Sequence, residues 1–488
     1  MLLDRYEHKL YQAGLKMVMY AAVKKVFKCD VYFIHSLDKG LLCKVQAKRI
    51  LTLEDINHLK EEMDFIIKQD LKINKKTVTI RDAYNYYLKN NEMEKANNLL
   101  YSNNKVTTLY ELCGYYNYFL RDMPESTGTL THYSLTYIDD NAVVLTTPLL
   151  DDFSLDTFKS QDLIRQSFKE YRKWCLNQKV SYISDLNKLV SESKIKDFIK
   201  KNVIMMDNQI YNVAEIIKKE NKKLVLLGGP SSSGKTTTTK KLALYMSAIG
   251  LNPIYLGLDD YFKEKEESPK DANGEYDFES IDCIDLDLFN TQLEQILNGE
   301  EVSVPTYNFI TGKKEYKNRI IKLKENDIIL IEGLHCLNEV LTSNIASNTK
   351  LKVYISPFMP LSLDRHNHVS TVDMRLLRRI VRDNRSRGSN VHDTLESWDR
   401  VRNGETKYVF PFSNEADVII NTAHIYELGV LKVFVEPLLY SVPMDSKYYN
   451  ESRRLIECLQ MYFPIPSNYI SDSNILREFI GESYFERR

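Results

Sequence analysis

Residues 224–242 read LVLLGGPSSSGKTTTTKKL. Within this stretch, Gly229, Gly234, Lys235 and Thr236 satisfy the pattern G-x-x-x-x-G-K-[ST], after a short apolar run and before a helical segment. Glycines let backbone N–H groups turn inward around a phosphate, and the start of the next helix adds partial positive charge. The lysine reaches the β- and γ-phosphates, and the threonine hydroxyl helps to hold Mg²⁺. The stretch therefore predicts a nucleotide-binding phosphate loop. Its predicted nucleotide-binding residues are Gly229, Ser231, Ser232, Ser233, Gly234, Lys235, Thr236 and Thr237.

Short apolar runs alternate with helical segments from residue 222 onward. They are β-branched and bounded by turn residues, which is typical of buried parallel strands with helices on both faces of the sheet. Residues 1–200 instead mix helical patterns with paired short strands. We predict an α/β P-loop domain preceded by an α+β domain. The predicted parallel strands are Leu224–Leu227, Ile254–Leu258, Ile328–Ile331, Leu351–Ile355 and Val418–Ile420.

Composition and charge exclude several classes of protein. The chain has 488 residues, 43% of them hydrophobic and 27% charged, and a formal net charge of −1. Near-neutral charge argues against broad attraction to nucleic acid or anionic membranes. Seven scattered cysteines without a C-x-x-C pair favour a reduced, cytoplasmic protein. We find no signal peptide and no apolar run of the roughly 18 residues that a membrane span needs.

Acidic residues follow two of the predicted strands. Asp259 and Asp260 follow the second strand, and Glu332 follows the third. Ligands in open α/β sheets lie beyond the carboxyl ends of the strands, so these carboxylates are expected near the phosphate loop. There Asp259 could accept a proton from an attacking hydroxyl, and Glu332 could hold Mg²⁺ together with Thr236. The simpler alternative is that these acids cap the following turns.

An arginine stripe follows at residues 375–387. Arg375, Arg378, Arg379 and Arg382 fall at i, i+3, i+4 and i+7, so they share one face of a helix. With few acidic residues nearby in sequence, the stripe predicts few internal partners and an affinity for external anions such as phosphates. A solvated basic face or a nucleic-acid patch is the alternative.

Aromatic residues lie in the hairpin-like segment 304–316. Tyr307 and Phe309 could wall a pocket for an aromatic base, although alternating aromatics in a hairpin more often serve packing.

Together these stretches resemble the uridine kinase and phosphoribulokinase family. The resemblance covers residues 222–425 and is specific, because six spaced motifs occur in order. They read GGPSSSGKTT, LDDYF, YNF, IEG, DMRLLRRIVRDNRSRG and EADVII.

The resemblance implies roles for individual residues. It makes Asp259 the catalytic base for a 5′-hydroxyl, Lys235, Arg378 and Arg382 the phosphate-side catalytic residues, and Thr236 with Glu332 the metal ligands. Two positions depart from the family: Gly312 stands where a histidine reads the pyrimidine edge, and Glu279 stands where an aspartate holds the ribose hydroxyls. A missing hydrogen-bond partner can change discrimination by orders of magnitude. The implied substrate-binding residues are Asp259, Tyr261, Glu279, Tyr307, Phe309 and Arg375.

The whole chain resembles a bacterial group of two-domain nucleoside kinases. In that group a domain similar to the second additional domain of threonyl-tRNA synthetase precedes the kinase domain. Of that domain's metal-binding residues, His8 and Cys113 are kept, whereas Gln12 replaces a histidine. Two ligands cannot make a zinc site, so we expect no metal-dependent editing. The predicted domains are residues 1–200, similar to the synthetase domain, 201–430, the kinase domain, and 431–488, a helical extension packed on the kinase domain.

The resulting expectation is an ATP- and Mg²⁺-dependent nucleoside kinase that phosphorylates the 5′-hydroxyl of a uridine- or cytidine-like substrate. A kinase for another sugar or sugar phosphate is one alternative, and an RNA-binding regulatory ATPase is another. The expected partner is a small molecule rather than a membrane or nucleic acid, and a homo-oligomer is left open.

Overall fold

The computed structural model describes residues 5–102, 104–149, 152–270, 274, 276–277, 279–308, 311–317 and 319–486. The chain forms two compact units, each assembled from three segments. The first unit comprises Met1–Ile195, Met359–Asp373 and Pro443–Ile465. The second comprises Lys196–Phe358, Met374–Val442 and Pro466–Arg488. The three domain ranges named above remain a prediction.

The helices and strands of both units are numbered here along the chain. The helices are α1 Arg5–Phe27, α2 Leu53–Lys68, α3 Ile80–Lys89, α4 Met93–Leu100, α5 Asp162–Asn177, α6 Ile183–Ser191, α7 Ile195–Lys219, α8 Lys235–Ala248, α9 Leu286–Leu297, α10 Thr371–Ser386, α11 Val391–Tyr408, α12 Glu427–Tyr440, α13 Tyr449–Gln460 and α14 Arg477–Ile480. The strands are β1 Val31–Leu37, β2 Gly40–Val45, β3 Asn74–Thr79, β4 Val106–Leu112, β5 Tyr115–Asn117, β6 Ser134–Tyr137, β7 Ala142–Thr146, β8 Leu224–Gly228, β9 Asn252–Gly257, β10 Val302–Ser303, β11 Thr306–Asn308, β12 Lys313–Glu315, β13 Ile320–Ile321, β14 Asp327–Gly333, β15 Lys350–Ser356 and β16 Val418–Asn421.

The first unit is α+β, as its sequence predicts. Its antiparallel sheets have the strand orders β1-β2-β7-β6 and β3-β4-β5. Helix α1 is central to its core, because Met17–Val23 are buried on every side of the helix. Helix α2 begins with a capping box, in which the Thr52 side chain and Asp55 satisfy each other's backbone N–H groups.

A buried polar network holds the segment 359–373 within the first unit. His366 is completely buried and lies 3.0 Å from Asp30 Oδ1 through its Nε2 atom. Lys95 Nζ contacts the other ring nitrogen of His366 at 2.6 Å. Arg365 donates to Asp30 Oδ2 at 2.8 Å and to Glu94 Oε2 at 2.9 Å. The network therefore joins residues that are far apart in sequence.

The second unit contains a five-stranded parallel sheet of order β16-β15-β8-β14-β9. All residues of β8 are buried, and Leu224 and Leu226 pack in one apolar cluster with Phe289 and Leu293 of α9. Because successive strand residues point to opposite faces, both faces of this central strand are covered. The predicted parallel strands and the α/β class of this unit are confirmed.

The register brings the carboxyl ends of three strands to one edge of the sheet. Glu332 of β14 lies opposite Leu227 of β8 and Gly257 of β9. The loops that follow β8, β9 and β14 must therefore leave the sheet side by side. Among the described residues, no helix has the length and apolar composition needed to cross a membrane.

Candidate active site

Two glycines allow the loop after β8 to fold tightly. A side chain at Gly229 would place its Cβ atom 2.1 Å from the carbonyl oxygen of Ile355, so only glycine fits there. Gly234 has φ of +86°, in the left-handed region, and a Cβ atom there would lie 2.7 Å from Ile475 Cγ2. The loop is thus shaped by close approach of the backbone, as the sequence pattern predicts.

Two serines between these glycines combine a strained backbone with unpaired hydroxyl groups. Ser232 has φ of +58°, which costs a residue other than glycine about 1 kcal/mol or more. Among the described residues, the buried hydroxyls of Ser232 and Ser233 have no hydrogen-bond partner. Strained backbone and unpaired buried hydroxyls are costly unless a ligand uses them. The loop therefore has the features of a cradle for a polar group.

Lys235 lies inside this cradle. Its ammonium group donates to the carbonyl oxygens of Gly229, at 2.8 Å, and Pro230, at 3.0 Å. Burial lowers its pKa, while the charges of Glu332, Glu405 and Glu478 act in the opposite direction. An external anion beside this ammonium would favour its charged form further.

Thr236 and Glu332 meet at the carboxyl end of β14. The Thr236 hydroxyl donates to Glu332 Oε1 at 2.8 Å. Burial raises the pKa of Glu332, against the opposing effects of the Lys235 charge and the Thr236 hydrogen bond. A hydroxyl and a half-buried carboxylate side by side are oxygen donors of the kind that Mg²⁺ prefers.

The two aspartates after β9 have different surroundings. Asp260 accepts a hydrogen bond from Arg319 Nη1 at 3.0 Å and another from the backbone N–H of Tyr307 at 3.3 Å. Asp259 is exposed to solvent. The surrounding protein nevertheless limits its hydration and raises its pKa, while the charge of Lys235 acts to lower it. Asp260 therefore holds the local structure, whereas Asp259 is open to solvent and lies within the electrostatic influence of Lys235.

The arginine stripe lies on α10, but two of its members have internal partners. Arg375 donates to Glu405 Oε2 at 2.8 Å and Arg378 donates to Glu427 Oε2 at 2.7 Å, and all four side chains are buried. The prediction that the stripe has few internal partners is therefore wrong for Arg375 and Arg378. The acidic partners come from α11 and α12, which are 30 and 49 residues further along the chain.

These two buried pairs support the loop from behind. Arg375 donates to the carbonyl oxygen of Ser231 at 3.0 Å, and Glu405 Oε1 accepts the backbone N–H of Ser231 at 2.9 Å. Arg378 donates to the carbonyl oxygen of Ser232 in the loop at 3.4 Å and to that of Thr422 at 2.8 Å. In this form of the molecule, the two arginines position the loop.

A cluster with surplus positive charge is formed by Arg379 and Arg382 of α10 and by Arg387, which follows the helix. Arg379, Arg382 and Arg387 share the carboxylate of Asp383, at distances of 3.2, 2.7 and 3.5 Å. Arg379 also donates to the Ser231 hydroxyl at 3.0 Å, so the cluster touches the loop. Burial and the neighbouring arginines Arg382 and Arg387 lower the pKa of Arg379. Such crowding indicates a site for an external anion.

Comparison with known proteins agrees with this geometry. A family model described as phosphoribulokinase / uridine kinase family matches residues 224–427. This region belongs to the phosphoribulokinase / uridine kinase family. It is thus a kinase domain and a phosphotransferase, and residues 1–223 lie outside the matched region.

Curated relatives carry the same family name. The chain is 28% identical over 179 residues to a uridine kinase of Anoxybacillus flavithermus. The aligned region covers 36% of this chain and 76% of that protein. It is 27% identical over 167 residues to a uridine kinase of Staphylococcus aureus strain JH9, covering 34% of this chain and 72% of that protein. A solved structure described as a possible uridine kinase from Bacillus stearothermophilus covers 44% of this chain and 98% of its own, with TM-score 0.31 and 17% identity.

The substrate-binding residues that the family resemblance implies have different surroundings in the structure. Tyr261 is completely buried and donates to Gln292 Oε1 at 2.8 Å. Tyr307 is also buried and packs edge-to-face on Phe262 at 5.6 Å. Both are core residues of the kinase domain in this form, and Phe309 lies outside the described residues.

Glu279 lies among charged residues that surround the phosphate loop. Its Cβ atom is 3.2 Å from the position that a side chain at Gly404 would occupy, so α11 packs against it. Burial raises the pKa of Glu279, and the charge of Glu405 adds to this effect. Arg379 and Lys235 act in the opposite direction, which puts Glu279 in the same charged surroundings as the loop.

The residues kept from the synthetase-like site do not form one cluster in the first unit. His8 Nε2 lies 2.6 Å from the carbonyl oxygen of Pro148, and Gln12 donates to the Thr147 hydroxyl at 3.1 Å. Cys113 lies in the exposed turn between β4 and β5, where Lys25 and Glu111 are its charged neighbours. The described part of the chain offers no group of three or more His, Cys, Asp or Glu side chains suited to a metal ion.

The sequence does not identify three acids that lie near the phosphate loop or its supporting arginines. Glu405 and Glu427 pair with the arginines, and Glu478 accepts the Thr237 backbone N–H at 3.2 Å. A signal for the first two exists, since an arginine stripe on a mostly buried helix requires acidic partners elsewhere. Glu478 carries no local signal, because it is 241 residues away from its partner.

Proposed function

We propose that the kinase domain transfers the terminal phosphoryl group of ATP to a hydroxyl of a sugar-containing acceptor, in the first place a nucleoside 5′-hydroxyl. One observation carries the proposal: the register sets the carboxyl ends of β8, β9 and β14 side by side, and the charge of Lys235 acts on both Asp259 and Glu332. A proton acceptor beside a phosphate cradle is what hydroxyl phosphorylation requires.

The loop residues fit the triphosphate of ATP. The close approach at Gly229 leaves backbone N–H groups as the lining, and the Ser232 and Ser233 hydroxyls, buried and unpaired among the described residues, are available to phosphate oxygens. Lys235 would exchange its carbonyl partners for phosphate oxygens. Arg379 and its neighbours Arg382 and Arg387 would balance the negative charge on the transferred group, because Asp383 alone does not balance theirs.

The oxygen donors of Thr236 and Glu332 fit Mg²⁺. When bound there, this ion would neutralise charge on the β- and γ-phosphates. The Glu332 carboxylate would then be held in its charged form, against the burial that raises its pKa.

Asp259 is the proposed general base. Its carboxylate would accept the proton of the attacking hydroxyl while that oxygen bonds to the phosphorus atom. The protonated carboxyl cannot do this, and the limited hydration of the carboxylate raises its pKa. Turnover should therefore fall on acidification at a higher pH than an ordinary aspartate would give.

A second acceptor class has its own support. Tyr261 and Tyr307 are buried, so neither offers a free aromatic face to a base, and Gly312 lacks a side chain that could read a pyrimidine edge. These features favour a non-nucleoside sugar or a sugar phosphate, since the surplus arginines could also hold an acceptor phosphate.

An acceptor screen separates the two classes. The full chain is incubated with Mg²⁺, ATP and a panel of nucleosides, sugars and sugar phosphates, and products are detected by mass. A product 5′-phosphorylated on a nucleoside supports the first acceptor, and a phosphorylated sugar or sugar bisphosphate supports the second. Bound ATP without any phosphorylated acceptor would contradict the transferase proposal.

A further inference from the structure

The segment 467–486, named here the C-terminal strap, runs against the phosphate loop although it lies outside the family region. Ile475 of the strap is completely buried, and its Cγ2 atom lies 2.7 Å from the position of a Cβ atom on Gly234. The glycine that closes the phosphate loop is therefore also the point at which the strap meets it.

Several contacts anchor the strap in the second unit. The Arg378 guanidinium lies over the ring of Phe479, at 4.9 Å from its centre. Arg385 of α10 donates to the carbonyl oxygen of Phe479 at 3.2 Å, and Lys240 of α8 donates to that of Phe485 at 2.8 Å. The strap thus connects the arginine helix with the helix that begins at the phosphate loop.

The anchored strap carries a carboxylate to the first turn of α8. Glu478 Oε2 accepts the backbone N–H of Thr237 at 3.2 Å. The first N–H groups of a helix have no partner within the helix, and in a phosphate loop they are donors for phosphate. Thr237 itself is buried, whereas Glu478 is only half-buried.

A carboxylate at this point has two effects on a bound phosphate. It takes a donor that the phosphate could use, because one N–H group cannot serve two full acceptors. It also adds negative charge beside the cradle, which agrees with its effect on the Lys235 and Glu332 side chains. Since Glu478 is half-buried, its side chain can turn away while Ile475 and Phe479 stay in place.

We propose that Glu478 competes with a nucleotide phosphate for the Thr237 backbone N–H, so that the C-terminal strap lowers the affinity of the kinase domain for ATP. This rests on the proposed binding of ATP by the phosphate loop. The strap is then a built-in competitor, and nucleotide binding includes displacement of the Glu478 side chain.

The test measures the affinity of the full chain for ATP with Mg²⁺ by calorimetry. Glu478→Gln keeps the side-chain shape but removes the charge, and it should bind ATP about 3- to 10-fold more tightly. The KM for ATP should fall while kcat stays unchanged. The matched control is Glu482→Gln in the same strap: Glu482 pairs with Arg477 and is 85% exposed, so this variant should bind ATP as the wild type does.

The outcomes separate the competitor from other roles. Equal or weaker binding by Glu478→Gln would overturn the proposal, because Glu478 would then be a helix cap or a ligand of the bound nucleotide or metal. If Glu478→Gln does not fold, Glu478→Ala is measured instead. Failure of both to fold would also overturn it, since a displaceable side chain is not required for the fold. No ATP binding by any variant, wild type included, would overturn the proposed function as well.

Discussion

Buried charges in the two units are balanced differently. In the first unit, Asp30 and Glu94 are matched by Arg365, and Lys95 contacts a neutral His366. In the second unit, three arginines share the single carboxylate of Asp383, and one of them touches the phosphate loop.

The two ways of balancing charge suit different roles. A balanced and fully bonded network costs desolvation energy and in return fixes the geometry of the chain. An unbalanced cluster keeps an attraction for external anions. The Arg375–Glu405 and Arg378–Glu427 pairs are of the first kind although they lie in the kinase site, so the site combines a rigid support with an open positive surface.

The largest expected effect is a loss of stability when one of the buried ion pairs behind the phosphate loop is broken. Arg378→Ala leaves Glu427 buried without its partner, which should cost about 3–5 kcal/mol of stability. Arg365→Ala in the first unit should cost less, because the Arg365 side chain is 16% exposed and its acidic partners can gain some hydration. Thermal unfolding followed by calorimetry compares the two, and a smaller loss for Arg378→Ala would contradict the comparison.

The next effect concerns the cradle. Lys235→Ala removes the ammonium group from the phosphate loop and should lower turnover by about 10²- to 10³-fold, with weaker ATP binding. Lys223→Ala is the control, because Lys223 lies just before the amino end of β8, where it contacts Glu325 rather than the loop. Steady-state kinetics and calorimetry measure both variants. Full activity of Lys235→Ala would refute the assignment of the loop.

The balanced network of the first unit should be sensitive to acid. His366 Nε2 lies against Asp30, and its Nδ1 lies against the Lys95 ammonium, so burial and the charge of Lys95 lower its pKa, while Asp30 and Glu92 oppose them. The imidazole therefore takes up its proton at a lower pH in the folded chain than in the unfolded chain, where it does so near pH 6.5. Stability is therefore lost as the pH falls below about 6.5.

Thermal midpoints between pH 7 and pH 5 test this for the wild type and for His366→Asn. The variant should lose less stability over this range, because it has no imidazole to protonate in the unfolded chain. An equal pH dependence of the two proteins would exclude His366 as a source of the acid sensitivity.

The smallest effect is expected from the open positive surface. Arg379→Gln removes one charged donor near Ser231 and should weaken ATP binding by about 10-fold. Arg400→Gln, on the exposed side of α11, should leave it unchanged. Binding isotherms at low and high salt give the measurement, and the loss should shrink at high salt. An equal loss of ATP affinity in both variants would mean that the net charge of the protein, rather than the position of Arg379, determines binding.

Local patterns predict much of the second unit. The loop sequence and the short apolar runs predict both the parallel sheet and the edge at which Thr236, Glu332 and Asp259 emerge, because each depends on neighbouring residues and on strand direction. The roles of these residues stay predictions.

Contacts between side chains that are far apart in the chain could not be predicted from the sequence. The partners of Arg375 and Arg378 lie on other helices, and the contact of Glu478 with Thr237 spans 241 residues. The placement of His366 beside Asp30 spans 336 residues and depends on the segment 359–373 packing in the first unit. Burial of Tyr307 depends on Phe262, which no spacing rule identifies.

Asp259 is proposed to take the proton of the attacking hydroxyl, and kinetics of two aspartate variants test this role. Turnover with the acceptor found by screening is compared for the wild type, Asp259→Asn and Asp260→Asn, with ATP affinity measured on the same preparations. Asp259→Asn should lower kcat by about 10²- to 10⁴-fold while ATP affinity is largely kept. Asp260→Asn, which loosens the contact with Arg319, should affect thermal stability more than kcat. An unchanged kcat in Asp259→Asn would show that Asp259 is not the general base.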